Sequence, residues 1–187
     1  MNIIVAKCLK NGIGKNNKIP WKLSNDLKFF KDITIGNGNN AIIMGRNTYE
    51  SLNYKTLPKR DNFILTKTLR NMNDDNGYIF SENIEMLNYI NNKNYDNVWV
   101  IGGSNIYNQY IHSGLVDSLL ITDINKEYNH DVCFPDIPKN YNKIWESTKI
   151  IENDIPYNIK LYWNFHKIID YKYATNIIEM CNKSYNL

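Results

Sequence analysis

Asp26 is the residue of this 187-residue chain whose setting best suits proton chemistry. It sits in the run Ile19-Pro20-Trp21-Lys22-Leu23-Ser24-Asn25-Asp26-Leu27-Lys28-Phe29-Phe30. Ser24 is expected to cap a helix that starts there. Leu27, Phe30 and Ile33 then recur at helical spacing as one apolar stripe. An acid on the first turn, one residue before that stripe, can point into the same cavity. A carboxylate held among Leu, Phe and Trp is costly to ionise, so its pKa rises. Such a group can serve proton transfer on a flat, apolar ligand. Taken alone, the run is more often an ordinary first-turn acid favoured by the helix dipole.

Other residues offer charge and backbone donors. Gly45-Arg46-Asn47-Thr48 follows an apolar run and opens a short helix, where free backbone N–H groups favour phosphate. Gly102-Gly103-Ser104-Asn105 repeats that arrangement later in the chain. Arg60 closes the run Leu57-Pro58-Lys59-Arg60; an Arg suits bidentate carboxylate binding, although most Arg side chains are simply solvated. The glycine runs do not form the dinucleotide fingerprint with its following ribose-binding acid, so a standard Rossmann site is not indicated.

Composition narrows the classes. A net charge of +3 is too weak to argue for nucleic acid. Cys8, Cys133 and Cys181 show neither metal-ligand spacing nor an even disulfide framework, so no metal is expected and free thiols in a reducing compartment are. No apolar run is long enough for a membrane span, and no basic-then-apolar leader opens the chain. A cytoplasmic monomer is the expectation.

The elements that must position these residues alternate. Strands are expected at 2–9, 40–44, 62–66, 78–80, 97–101, 116–125 and 158–165. Helices are expected at 24–35, 46–52, 82–91 and 104–111, with a polar loop at 70–76. Strands spaced by helices imply crossovers and a mostly parallel sheet. The last two strands have no helix between them, which implies a mixed edge.

Several of these blocks stand in an order that resembles the dihydrofolate reductase family. They are Ile3-Ile4-Val5-Ala6, Asn11-Gly12-Ile13-Gly14-Lys15, the Pro20-Trp21 to Asp26 run, Ile42 to Leu52, Leu57 to Arg60, and Val98 to Tyr107. The resemblance covers about Asn2 to Phe165, which implies one reductase domain at 1–165 and leaves a C-terminal extension at 166–187. The extension's apolar positions Ile168, Ile169, Tyr173, Ile177, Ile178 and Met180 are read as a helix docked on its own chain through Ile169, Tyr173 and Ile177, with a partner-binding tail or a poorly ordered end as the alternatives. It implies an α/β three-layer fold: a twisted, mostly parallel sheet of about eight strands, an antiparallel C-terminal edge, and helices on both faces.

The resemblance also implies reduction of 7,8-dihydrofolate to tetrahydrofolate, serving one-carbon metabolism, with NADPH as cofactor. Asp26 would bind the amidine-like edge of the pterin and promote protonation of N5 by water. Trp21 and Thr122 would hold that water and the carboxylate. Ile4, Val5, Ala6, Leu27, Phe30, Leu52, Ile101 and Tyr107 would wall the pterin, and Arg60 would clamp the glutamate carboxylate. Ile13, Gly14 and Ile19 would lie in a loop closing over the site, hinged at Gly12 and Gly14. The cofactor would meet Ala6, Gly45, Arg46, Asn47, Thr48, Leu65, Thr66 and Lys67. It would also meet Gly102, Gly103, Ser104, Asn105, Ile106 and Tyr107, with a cis peptide between the two glycines. Arg46 and Lys67 favour NADPH over NADH. Asn47 departs from the basic residue or His common in the family at that position.

Overall fold

The computed structural model describes residues 1–69 and 76–185. Of the polar loop expected at 70–76, only Asn76 falls among the described residues. Eleven strands are described: β1 (Asn2–Lys7), β2 (Gly12–Gly14), β3 (Asn40–Gly45), β4 (Asp61–Leu65), β5 (Gly77–Phe80), β6 (Asn97–Gly102), β7 (Ser118–Ile124), β8 (Val132–Cys133), β9 (Tyr141–Glu146), β10 (Ile150–Glu152) and β11 (Ile155–Asn164). Five helices accompany them: α1 (Ser24–Ile35), α2 (Arg46–Ser51), α3 (Asn83–Asn91), α4 (Ser104–Ile111) and α5 (Tyr171–Tyr185).

The main sheet runs β10-β11-β7-β1-β6-β3-β4-β5, with β9 also paired to β11. From β5 to β7 every pair is parallel, while β11 is antiparallel to β7, β9 and β10. The parallel strands read as unbroken apolar runs because both of their faces are covered. In β1, Ile4 packs on one side while Ile3 and Val5 pack on the other. β3 divides likewise, with Ile42 and Met44 opposite Ala41 and Ile43. One layer receives Phe29 and Ile33 of α1 with Ala174 and Ile177 of α5; the other receives α3 and α4.

Four local expectations are corrected. The N-cap of α1 is Leu23, with no side-chain cap from Ser24. Its first N–H groups, those of Ser24 and Asn25, instead donate to the Glu152 carboxylate at 2.5 and 3.2 Å. The core face of α1 carries Phe29 and Ile33, whereas Leu27 is 54% exposed. The short strands β8, β9 and β10 have no counterpart in the sequence reading, because β9 is mostly exposed and β8 and β10 are two and three residues long. Finally, Gly12, expected in a loop, opens the short strand β2 with a φ of −63°. It is glycine for space: a Cβ there would lie 2.4 Å from the His130 ring.

The chain beyond residue 165 ends in α5. Asp170 starts that helix by accepting the Tyr173 N–H at 2.9 Å, an N-cap arrangement. Ala174, Ile177 and Cys181 then fall at spacings of three and four and are buried against the α1 side of the sheet. Ile169, the first apolar residue expected to anchor the tail, lies before the helix.

Candidate active site

A cleft of about 1550 Å³ opens along the C-terminal ends of β1, β3, β4 and β6 and the exposed flank of α1. That exceeds the ~300–1,000 Å³ typical of a single-ligand pocket, so two sizeable ligands fit side by side. Every site residue expected from the sequence lines it except Trp21 and Gly102. Ile4, Val5 and Ala6 of β1, Ile101 of β6 and Tyr107 of α4 line it together with Leu27 and Phe30 of α1 and Leu52 after α2. Asn17, Lys18, Thr68, Asp131, Val132 and Cys133 also line it, and sequence reasoning missed them.

Asp26 is the buried acid of the cleft. Its side chain is 8% exposed, and Thr122 of β7 donates to Oδ1 at 2.6 Å. Tyr185 donates to the same oxygen at 3.4 Å. Among the described residues both side-chain donors address Oδ1 and neither is a cation, which leaves Oδ2 for a ligand. Burial pushes the carboxyl up to about 6, against the smaller opposing effect of the two hydroxyl donors; the nearby Glu152 charge adds to the rise. Trp21 stands back from the cleft, packed edge-on against Tyr128 with ring centroids 5.5 Å apart.

Arg60 is the buried cation of the cleft, 5% exposed. Its Nη1 donates to the Lys31 carbonyl at 3.2 Å and to the Thr34 hydroxyl, both on α1. Its Nε is buried without a partner among the described residues. Burial lowers its pKa to about 10. The turn that presents it is tied down by Asn62, whose amide donates to the carbonyls of Leu57 and Arg60 at 2.9 and 2.8 Å. Asn76 reaches the same two carbonyls. Neither Thr34 nor the two asparagines carried a signal in the sequence, since each acts on the backbone or on a side chain distant along the chain.

The far end of the cleft is built from two close turns. A Cβ at Gly45 would come 2.9 Å from Ile106, so the β3–α2 turn meets the start of α4 only with glycine there. The Gly102–Gly103 peptide is cis, and Gly102 has φ +104° with Tyr107 2.7 Å from where a Cβ would stand. Arg46 donates to Thr68 at 3.1 Å and pairs with Glu50 at 3.4 Å. Thr66, Lys67 and Thr68 line the same end. The loop bearing Ile13 and Gly14 is stitched to β8 by pairing of Gly12 and Gly14 with Cys133 and Val132, and Ile19 beyond it is 56% exposed.

Comparison with known proteins decides the family. The dihydrofolate reductase family model matches residues 1–164. The chain belongs to the dihydrofolate reductase family. It is similar to the dihydrofolate reductase of Candida albicans, with 41% identity over 130 residues, 65% of this chain and 67% of that protein. It is also 38% identical to that of Buchnera aphidicola over 156 residues, 82% of this chain and 88% of the other. Among solved structures, dihydrofolate reductase from Enterococcus faecalis complexed with NADP(H) and RAB-propyl has a TM-score of 0.75 and 28% identity. That match covers 87% of this chain and 94% of the other. The family match ends at residue 164, so α5 lies beyond it. Among the described residues no helix is long and apolar enough to cross a membrane.

Proposed function

We propose that this cleft reduces 7,8-dihydrofolate to 5,6,7,8-tetrahydrofolate with NADPH, the substrate lying along α1 and the cofactor across the ends of β3, β4 and β6. The observation that carries this reading is a pair of buried, opposite charges held by one helix and, among the described residues, given no counter-ion. Asp26 is on the first turn of α1, and Arg60 is anchored to Lys31 and Thr34 near its other end. Eight residues of helix rise separate Asp26 from Thr34, about 12 Å. An elongated ligand with an N–H-bearing ring at one end and a carboxylate at the other satisfies both charges.

At the ring end, Asp26 accepts hydrogen bonds from the pterin edge, with Thr122 fixing Oδ1. Because burial raises its pKa, Asp26 exchanges its proton near neutral pH and shifts the bound ring toward protonation at N5, with water delivering the proton. Trp21 supports this from behind, by packing on Tyr128 and so fixing the approach to α1. The apolar walls exclude bulk water, which strengthens these electrostatic effects. At the tail end, the unpartnered Arg60 Nε and the rest of its guanidinium suit a carboxylate.

The other half of the cleft fits NADPH. The turns at Gly45 and Gly102–Gly103 present the starts of α2 and α4, whose first N–H groups lack helical partners. Arg46, Lys67, Thr66 and Thr68 form a set of cations and hydroxyls suited to a phosphate monoester, which distinguishes NADPH from NADH. When bound, NADPH supplies the hydride that goes to C6. Val5, Ala6 and Ile101 leave only small or apolar groups between the two halves, so the reacting rings can approach.

Cys8, Cys133 and Cys181 are all free, as suits a reducing cytoplasm. The α5 helix covers the apolar flank of α1 within one chain, which suits a monomer. The direct test adds dihydrofolate to protein and NADPH and follows NADPH absorbance. Consumption requiring both ligands is expected; its absence with correctly folded protein overturns the reading.

A further inference from the structure

We propose that the C-terminal helix is part of the active site, with Tyr185 as a positioning residue that holds the Asp26 carboxylate from outside the cleft. Three observations carry this. First, the Tyr185 hydroxyl donates to Asp26 Oδ1, the oxygen that Thr122 also holds. At 3.4 Å the bond is long for an O–H donor, so its effect is modest. Second, the Tyr185 ring is wedged between α1 and β11. It lies 5.4 Å from the Phe29 ring and 6.0 Å from the Tyr157 ring, centroid to centroid. Phe29 is on the same helix as Asp26. Third, the wedge is tied to the start of that helix. Tyr157 donates to Glu152 at 3.3 Å, and Glu152 accepts the first N–H groups of α1. Tyr185 does not line the cleft. It closes the back of Asp26, where water would otherwise reach the carboxylate.

The groups facing this contact are few. Asp26 meets Thr122 from β7, Glu152 from β10 and Tyr185 from α5; Tyr185 meets Tyr157 from β11 and Cys181 from its own helix. None is a cation, so the two hydroxyls are what stabilise the ionised carboxylate. Tyr185 thus does two opposed things. Its O–H favours the charged form of Asp26, and its ring keeps water away and disfavours that form. The spacing Ile177, Cys181, Tyr185, four residues apart on one helical face, delivers the ring to this place.

This proposal rests on the reading of Asp26 as the proton-handling group. The test uses the full chain with Tyr185→Phe and Tyr185→Ala, each measured for the pH profile of hydride transfer, for Michaelis constants and for the Asp26 carboxyl titration by NMR. Tyr185→Phe keeps the wedge and loses the donor, so the Asp26 midpoint should rise by about half a pH unit. Tyr185→Ala admits water, so its midpoint should fall below that of the Phe variant. The Michaelis constant for NADPH should stay put in both. A Phe variant whose Asp26 midpoint is unmoved or lowered overturns the proposal, whatever the melting temperatures do. Asp26→Asn keeps the two readings apart: if it retains turnover, the assignment of Asp26 fails. If it loses turnover while the Phe variant titrates like wild type, only the role of Tyr185 fails.

Discussion

Asp26 and Asp123 are two withdrawn carboxylates that meet at neighbouring positions of β7, Asp26 bonded to Thr122 and Asp123 next to it in the strand, and they are treated in opposite ways. Asp26 receives hydroxyls from Thr122 and Tyr185. Asp123, the next residue along the strand, receives the ammonium groups of Lys7 at 2.8 Å and Lys160 at 2.5 Å. Burial pushes both upward. At Asp123 the two lysines outweigh burial and hold the carboxyl below its ordinary value; at Asp26 nothing does, and it rises to about 6. Arg60 repeats the theme with the opposite charge, a buried guanidinium bonded, among the described residues, to neutral oxygens. The end of β7 neutralises Asp123 with two lysines, whereas at Asp26 and Arg60 the cleft leaves charge for a ligand to neutralise. Unpaired buried charge costs stability, and a functional site is where a fold accepts that cost.

Breaking the comparison at Asp26 should have the largest effect. Asp26→Asn should lower turnover at pH 7 by about 10²–10⁴-fold, typical of an acid/base group, while leaving NADPH binding intact. The deficit should shrink at acid pH, where dihydrofolate protonates unaided. Asp123→Asn, measured beside it, should keep nearly all its turnover. Equal losses in the two variants would mean that the contrast has no catalytic meaning.

Arg60→Leu sharpens the same contrast at the other end of α1. It should weaken dihydrofolate by roughly 2–5 kcal/mol, the range for one partner of a desolvated charge pair. A ligand lacking the glutamate should bind wild type and variant alike. If both ligands weaken equally, Arg60 acts on the fold.

Stability should move in opposite directions at the two carboxylates. Asp26 has its pKa raised from 3.8 to about 6 in the folded chain, so folding loses stability as pH climbs through that window. Asp26→Asn escapes the loss and should be more stable above pH 6 by up to about 3 kcal/mol, and barely so at pH 4. Asp123 has a depressed folded pKa, so its contribution is present above the ordinary carboxylate value and lost as pH falls through the folded one. Asp123→Asn should therefore be destabilised by about 1–3 kcal/mol at pH 7, with the deficit closing in acid. Denaturant melts across pH 3–8 measure both slopes.

The smallest effect is expected in the cofactor half. Arg46→Ala combined with Lys67→Ala should raise the Michaelis constant for NADPH more than that for NADH, and added salt should narrow the gap. Arg46 already spends part of its charge on Glu50, which limits the change. Equal use of both cofactors by the wild type would contradict the 2′-phosphate assignment.

What was legible in the sequence follows from range along the chain. The helices α1 and α4 and the parallel strands announced themselves through local periodicity and glycine-marked ends, and their ordered motifs carried the family. The residues that tune the site did not. Glu152 reaches the start of α1 from over a hundred residues away, and Thr34 is an inconspicuous helix residue until Arg60 lands on it. Trp21 carried a family expectation of holding water near the carboxylate, and the sequence did not announce its packing on Tyr128. The tail was legible as amphipathic, but periodicity alone does not say which helix it will meet. Its contact with Asp26 needs the sheet to bring residues 26, 122 and 185 together.

The most direct measurement is a carboxyl-carbon NMR titration of the unliganded protein that follows Asp26 and Asp123 in one experiment. The account predicts that Asp26 titrates near pH 6 and Asp123 below the ordinary carboxylate value. Two carboxylates titrating together near their ordinary value, or Asp123 above Asp26, would contradict it.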